Sequence, residues 1–141
     1  MFNYQTGRKV VKGLFIPLYH PKIIGKDFIP KNGPIILCGN HLHVWDQVPV
    51  ICSTKRTIHW MAKKEYFDSK MAWMYKDFEC ISVDRYNNPH ESKEIAMEYL
   101  RNGEAVGIFP EGTRNKITFA KKDYLEKLKN YRQYLYENHY N

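Results

Sequence analysis

The chain is predicted to be an α/β domain, a mixed sheet with flanking helices, preceded by an amphipathic N-terminal helix. Three observations predict it. Its 141 residues, 43% hydrophobic and 15% aromatic, suit one domain with a small core and exclude a disordered chain. Four short apolar runs, near residues 35–39, 57–62, 80–84 and 105–109, have the length of buried strands. Stretches of helical pattern alternate with them, near 46–53, 65–76 and 89–102, as in a sheet with helices on its faces.

The first segment, residues 1–21, is set apart by charge and periodicity. Val10, Val11, Leu14, Phe15 and Leu18 share one helical face, with Arg8, Lys9 and Lys12 toward another, until Pro17 and Pro21 disturb the helix. Residues 1–31 carry six Lys/Arg against one acid, and residues 115–141 carry six against three, while the middle of the chain is near neutral; the whole is +7. A basic amphipathic helix of this kind suits an anionic membrane surface. Its longest apolar run, Leu14 to Tyr19, is far below the roughly 20 residues a spanning helix needs, and no signal-peptide pattern precedes it.

Residues 22–115 form the central domain. Ile35-Ile36-Leu37-Cys38 follows the turn Asn32-Gly33-Pro34 and reads as a buried strand that Gly39 ends. Asp46 is positioned to cap the helix running to Ser53, with Pro49 inside its first turn. His41 therefore sits at a strand-to-helix junction. Five residues apart on one continuous helix, His41 and Asp46 would diverge by about 140°; the turn at Gly39-Asn40 allows them to meet. Asn88 as cap, Pro89 at the first position, Glu91 three on from the cap and Gly103 past the end mark the helix near 89–102. Ala105-Val106-Gly107-Ile108-Phe109 is another buried strand, and Pro110 ends it, so Glu111, Gly112, Thr113 and Arg114 project from a strand end. Loops there are where open α/β sheets bind ligands.

The chemistry-bearing residues are few. His41 with Asp46 supplies a general base and a carboxylate to orient it, and the loop after Phe109 suits a polar, phosphorylated substrate. Cys38-Gly39-Asn40-His41-Leu42-His43-Val44-Trp45-Asp46 and Phe109-Pro110-Glu111-Gly112-Thr113-Arg114, the latter in all six positions, resemble the two signature motifs of the lysophospholipid acyltransferase family. Cys80-Ile81-Ser82-Val83-Asp84-Arg85 resembles the family's strand ending in an arginine that binds the substrate phosphate, and Lys63 in Met61-Ala62-Lys63-Lys64-Glu65 matches its phosphate-facing lysine.

The resemblance implies a glycerolipid acyltransferase-like fold and acyl transfer from a thioester, acyl-CoA or acyl carrier protein, to the free hydroxyl of 1-acylglycerol-3-phosphate (lysophosphatidic acid). The product is phosphatidic acid. His41 and Asp46 would be catalytic, Arg85, Lys63 and Arg114 would hold the phosphate, and Glu111, Gly112 and Thr113 would line the glycerol site. No cofactor and no metal is implied. The expected location is peripheral, on the cytoplasmic face of the cell membrane, with an anionic membrane surface as partner. The resemblance runs from about Val11 to Asn115, so the chain is expected to be truncated or divergent beyond. Residues 116–141 read as a basic helical tail with Tyr124, Leu128, Tyr131 and Leu135 on one stripe, either native or the product of a shifted frame.

Other classes fare worse. None of the four serines, Ser53, Ser69, Ser82 and Ser92, lies in a Gly-x-Ser-x-Gly elbow, which leaves an acyl-serine without support. Cys38, Cys52 and Cys80 are odd in number and lack paired metal-ligand spacing, which fits a reducing cytosol. Cys38 is read as a small buried strand residue rather than a nucleophile. His41, His43 and Asp46 superficially match a metal-dependent hydrolase site, but the aspartate falls one place late and position 46 should be histidine. A membrane-surface module without activity explains the basic ends and neither motif. Nucleic acid as a partner draws only on the pI of about 9.3 and lacks a recognised motif.

Overall fold

A computed structural model describes residues 3–88 and 90–114. In chain order the elements are α1 (Tyr4–Tyr19), a 3-10 turn (Lys26–Phe28), β1 (Ile35–Cys38), α2 (Gln47–Ser53), β2 (Ile58–Lys63), α3 (Lys64–Phe67), α4 (Ala72–Asp77), β3 (Ile81–Val83), α5 (Glu91–Arg101) and β4 (Ala105–Ile108). The strands form one sheet in the order β1-β4-β2-β3. Every pairing among the described residues is parallel, with Ile35 opposite Ala105, Trp60 opposite Gly107 and Met61 opposite Ile81. The antiparallel member of a mixed sheet is thus not found among them. Because the strands are parallel, their carboxyl ends share one edge of the sheet, and the loops that carry the sequence motifs all leave from it.

Each sheet face has its own core. Ile51, Ile58, Trp60 and Ala105 pack with Leu37, Val50 and Phe109 on the α2 side. Ile81, Ala96 and Val106 pack with Met61, Ile95 and Tyr99 under α5. Alternation along β2 divides Ile58 and Trp60 from His59 and Met61. β1 is an edge strand in this set, and Cys38 is exposed rather than buried as its apolar neighbours suggested.

Two further local expectations are revised. The helix near 65–76 is broken into α3 and α4, because Ser69 Oγ donates to the Tyr66 carbonyl (2.7 Å) and accepts from Met71 N (3.2 Å). A side chain that bonds the local backbone in this way competes with the helical ladder. α5 starts at Glu91 with His90 as its N-cap. Asn88 instead donates from Nδ2 to Glu91 Oε2 at 3.1 Å, and Pro89 lies outside the described residues. Gly103 does follow the helix in the left-handed region (φ 77°), where glycine avoids the Cβ clash.

α1 runs through Pro17 without a break. Its first turns are anchored on the domain: Ile58 N donates to the buried Tyr4 hydroxyl (3.1 Å), and Gln5 Nε2 donates to the Lys55 carbonyl (3.0 Å). Burial pushes the Tyr4 phenol up to about 12. Arg8 leaves the solvent-facing basic set predicted for it. It is buried, and its Nη1 donates to the Thr54 carbonyl at 3.1 Å, which satisfies the chain end of α2. The helix's second half projects Leu14, Leu18 and Tyr19 into solvent. Among the described residues no helix is long and apolar enough to cross a membrane. The stripe Tyr124, Leu128, Tyr131 and Leu135, like the whole segment 116–141, lies outside the described residues.

Candidate active site

His41 and Asp46 do meet. Nδ1 of His41 lies 3.1 Å from Asp46 Oδ2, and the same oxygen accepts from Leu42 N (2.6 Å) and His43 N (2.7 Å). Asp46 was expected to cap the helix ahead of it. Its side chain makes no cap bond there, because the carboxylate folds back over the 41–43 loop and gathers three donors behind it. The loop is thereby shaped so that Nδ1 carries its hydrogen toward Asp46 and Nε2 keeps the lone pair. Nε2 has no hydrogen-bond partner among the described residues.

The face of His41 is held as well as its edge. Its ring stacks on Phe109 at 4.2 Å and 13°, and Phe109 stacks on Trp60 at 4.8 Å and 20°. Neither aromatic residue was singled out as a site residue from the sequence. Phe109 was inside a recognised motif, and Trp60 had only its place opposite Gly107 in the parallel register to mark it.

These groups wall a cavity of about 460 Å³ at the carboxyl edge of the sheet. Its polar and cationic lining includes His41, Lys63, Arg85, Gly112, Thr113 and Arg114. Two predicted site residues do not line it: Asp46, which lies behind His41, and Glu111. Its apolar lining includes Val48, Ile51, Met74 and Phe78, and Val11 of α1 reaches it too. A space lined by both cationic and apolar side chains matches an amphiphile.

The two neighbouring lysines divide their duties. Lys64 Nζ pairs with Asp84 Oδ2 at 2.8 Å. Asp84 also accepts from Tyr86 N and Asn87 N, and the Lys64 ammonium foremost, then these donors, hold its carboxyl well below the usual carboxylate range. Lys63, at the end of β2, has no ion pair among the described residues and stays available to the cavity. Arg85, one residue past Asp84, donates from Nη2 to the Gly112 carbonyl. Gly112 takes φ +66°, and a Cβ there would lie 3.3 Å from that nitrogen, so glycine serves both the turn and the arginine's approach.

The described residues hold no cluster of three or more His, Cys, Asp or Glu side chains that could bind a metal ion. His43 Nδ1 accepts from Trp45 N at 3.4 Å. Cys80 is half-buried, and burial pushes its thiol up to about 12, an inert condition for a cysteine.

A histidine held by a carboxylate thus lies on a cavity lined by cationic and apolar side chains at the carboxyl edge of a parallel sheet. The chain belongs to the Acyltransferase family, whose model matches residues 20–132. It is 33% identical over 95 residues to 1-acyl-sn-glycerol-3-phosphate acyltransferase of Bacillus subtilis, covering 66% of this chain and 48% of that protein. It is 28% identical over 121 residues to a probable 1-acyl-sn-glycerol-3-phosphate acyltransferase of Mycoplasma pneumoniae, covering 81% of this chain and 41% of that protein. The crystal structure of the 1-acyl-sn-glycerophosphate acyltransferase PlsC from Thermotoga maritima shares the fold, with a TM-score of 0.59 at 24% identity, over 88% of this chain and 53% of that one. The chain thus spans about half the length, or less, of the curated relatives it matches.

Proposed function

We propose that this chain carries the acceptor half of a 1-acylglycerol-3-phosphate acyltransferase site, and that it moves an acyl group from a thioester to the free hydroxyl of lysophosphatidic acid. The observation that carries the reading is the 3.1 Å contact of His41 Nδ1 with Asp46, which leaves Nε2 free beside three cationic side chains, Lys63, Arg85 and Arg114. Nε2 takes the hydroxyl proton as the oxygen attacks the thioester carbonyl. The C–O bond forms, the C–S bond breaks, and the departing thiolate recovers the proton from His41. A thiol of pKa about 8.5 leaves without strong acid help. Asp46 favours the cationic ring that exists between the two proton transfers.

The phosphate of the acceptor is assigned to Arg85, Lys63 and Arg114, the glycerol to the Gly112-Thr113 turn, and acyl carbon chains to the apolar lining of the cavity. The donor is acyl-CoA or acyl carrier protein. Docking on the cytoplasmic face of the membrane is assigned to α1, whose outer half exposes Leu14 and Leu18 at 69% and 72%. The test is an assay of the purified chain with 1-acylglycerol-3-phosphate and each donor in turn, beside His41→Ala. Turnover that survives in His41→Ala would remove the reading. Absence of turnover in the unsubstituted chain, with vesicle binding retained, would leave it a membrane-surface module.

A further inference from the structure

We propose that Trp60 is a positioning residue: seated over Gly107, it backs the ring of Phe109 and so fixes the plane in which His41 presents Nε2 to the cavity. The inference rests on the reading of His41 as the base. Asp46 fixes the edge of the imidazole through a single Nδ1 contact of 3.1 Å, and one hydrogen bond leaves the ring able to rock about the N···O line. A face contact removes that freedom. Phe109 supplies it, with ring centroids 4.2 Å apart and planes 13° from parallel.

Phe109 is itself only partly buried, and a ring packed on one side alone can turn about its own axis. Trp60 closes the other side at 4.8 Å and 20°. What holds Trp60 is the register of β2 on β4, which sets it opposite Gly107. A Cβ on Gly107 would lie 2.4, 2.6 and 2.8 Å from Cδ2, Cε3 and Cε2 of the indole, so any side chain there pushes the indole off its seat. The stack therefore runs from the backbone of a central strand to the imidazole in three steps, each with a rigid partner. The indole Nε1 is buried with no hydrogen-bond partner among the described residues. Since a buried unpaired donor is a cost, the residue's contribution is the breadth of its ring.

The test follows the His41 ring directly. In the full chain labelled with ring-13C histidine, with His41 assigned by its absence in His41→Ala, stacking on Phe109 should displace the His41 ring protons upfield. Trp60→Leu should return them toward the unstacked position or broaden them, and lower kcat by about tenfold through misorientation while KM for 1-acylglycerol-3-phosphate stays within about twofold. Trp60→Phe, which keeps a plate behind Phe109, should retain the displaced resonance. Gly107→Ala should behave like Trp60→Leu, and Gly107→Ala with Trp60→Leu should regain melting temperature without regaining the stacked resonance; this double variant carries the test if Trp60→Leu does not fold. A folded variant with leucine at 60 whose His41 protons remain displaced would overturn the proposal. Turnover unaffected by His41→Ala would instead remove the proposed function, and the resonances would still decide the stack.

Discussion

Two histidines in this protein look alike in partners and differ in what surrounds the rest of the ring. His41 stacks on Phe109 and touches Asp46; His59 stacks on Tyr99 at 3.6 Å and 11° and touches Glu104, with Nε2 to Oε2 at 2.7 Å. His59 is fully buried, and its second nitrogen, Nδ1, faces the Glu79 carbonyl at 3.0 Å. Glu79 holds a left-handed φ of 51°, a conformation that a non-glycine residue keeps only when its surroundings hold it there. His59 is one such hold, tying the approach to β3 and the start of β4 to the middle of the sheet. The carboxylate does not separate the two sites. What separates them is the remaining nitrogen: spent on a backbone carbonyl in one, open to a cavity in the other. A histidine–carboxylate pair in a structure thus reads as catalytic only after its second nitrogen has been followed.

The widest separation of the two should come from alanine. His41→Ala is expected to lower kcat by about 10³-fold, within the range for loss of a general base, while the melting temperature and the KM for lysophosphatidic acid change little. His59→Ala is expected to do the reverse and cost about 3 kcal/mol of stability by emptying a packed site and orphaning its acceptors. Urea melts and steady-state kinetics on both variants settle it. A destabilised His41→Ala with normal turnover would break the comparison.

Asp46→Asn comes next and should act almost wholly through His41. An amide can donate where the carboxylate accepted, which favours the wrong imidazole tautomer, and it weakens the bonds from Leu42 N and His43 N that shape the loop. A fall in kcat of about 10²-fold or more is expected. Glu104→Gln, the matching change at His59, should leave kcat near normal. Arg85→Ala should raise the KM for the phosphorylated acceptor by about tenfold; the side chain is exposed, so its contact is solvent-screened and weaker than a desolvated pair. Lys64→Ala, whose lysine already serves Asp84, should change KM much less.

The two histidines also mark how far the sequence could be read. Strands near 35, 57, 80 and 105 were visible as apolar runs because buried parallel strands are apolar on both faces, and His41, Asp46, Arg85 and the 109–114 loop converged because those strands end together. The break at Ser69 was not visible, since a serine hydroxyl bonding its local backbone leaves the helical periodicity intact. Nor was the burial of Arg8, which depends on a carbonyl 46 residues away. His59 gave no local signal at all: its acceptors lie 20 and 45 residues along the chain. Glu111, taken with its motif, does not line the cavity, although Pro110 and Gly112 on either side of it do.

The same contrast extends to α1, half anchor and half overhang. Leu14→Asp with Leu18→Asp should abolish co-sedimentation with vesicles containing anionic lipid and leave the melting temperature unchanged, because the substituted side chains are already in solvent. Arg8→Ala should lower the melting temperature and leave vesicle binding in place, since its guanidinium is committed to Thr54. High salt should weaken the binding of the unsubstituted chain, each surface-facing cation contributing about 1 kcal/mol. Vesicle binding that survives the double aspartate change would move the anchor elsewhere in the chain.

The smallest effect is expected at Asp84, whose carboxylate pairs with Lys64. Its carboxyl is depressed in the folded protein, first by Lys64 and then by the donors of the Asn87 turn. An acid with a folded value below its unfolded one adds stability above the unfolded value, about pH 3.9, and loses that addition as the pH falls through the folded value. Asp84→Asn should therefore be slightly less stable than the unsubstituted chain at pH 7, with the gap narrowing as the pH is lowered below about 4. In Lys64→Ala the pH dependence assigned to Asp84 should weaken in parallel, because the largest cause of the depression has gone. Urea melts of the three proteins between neutral and acid pH test the assignment, and a gap between Asp84→Asn and the unsubstituted chain that widened on acidification would reverse its sign and exclude a depressed carboxyl at this corner of the site.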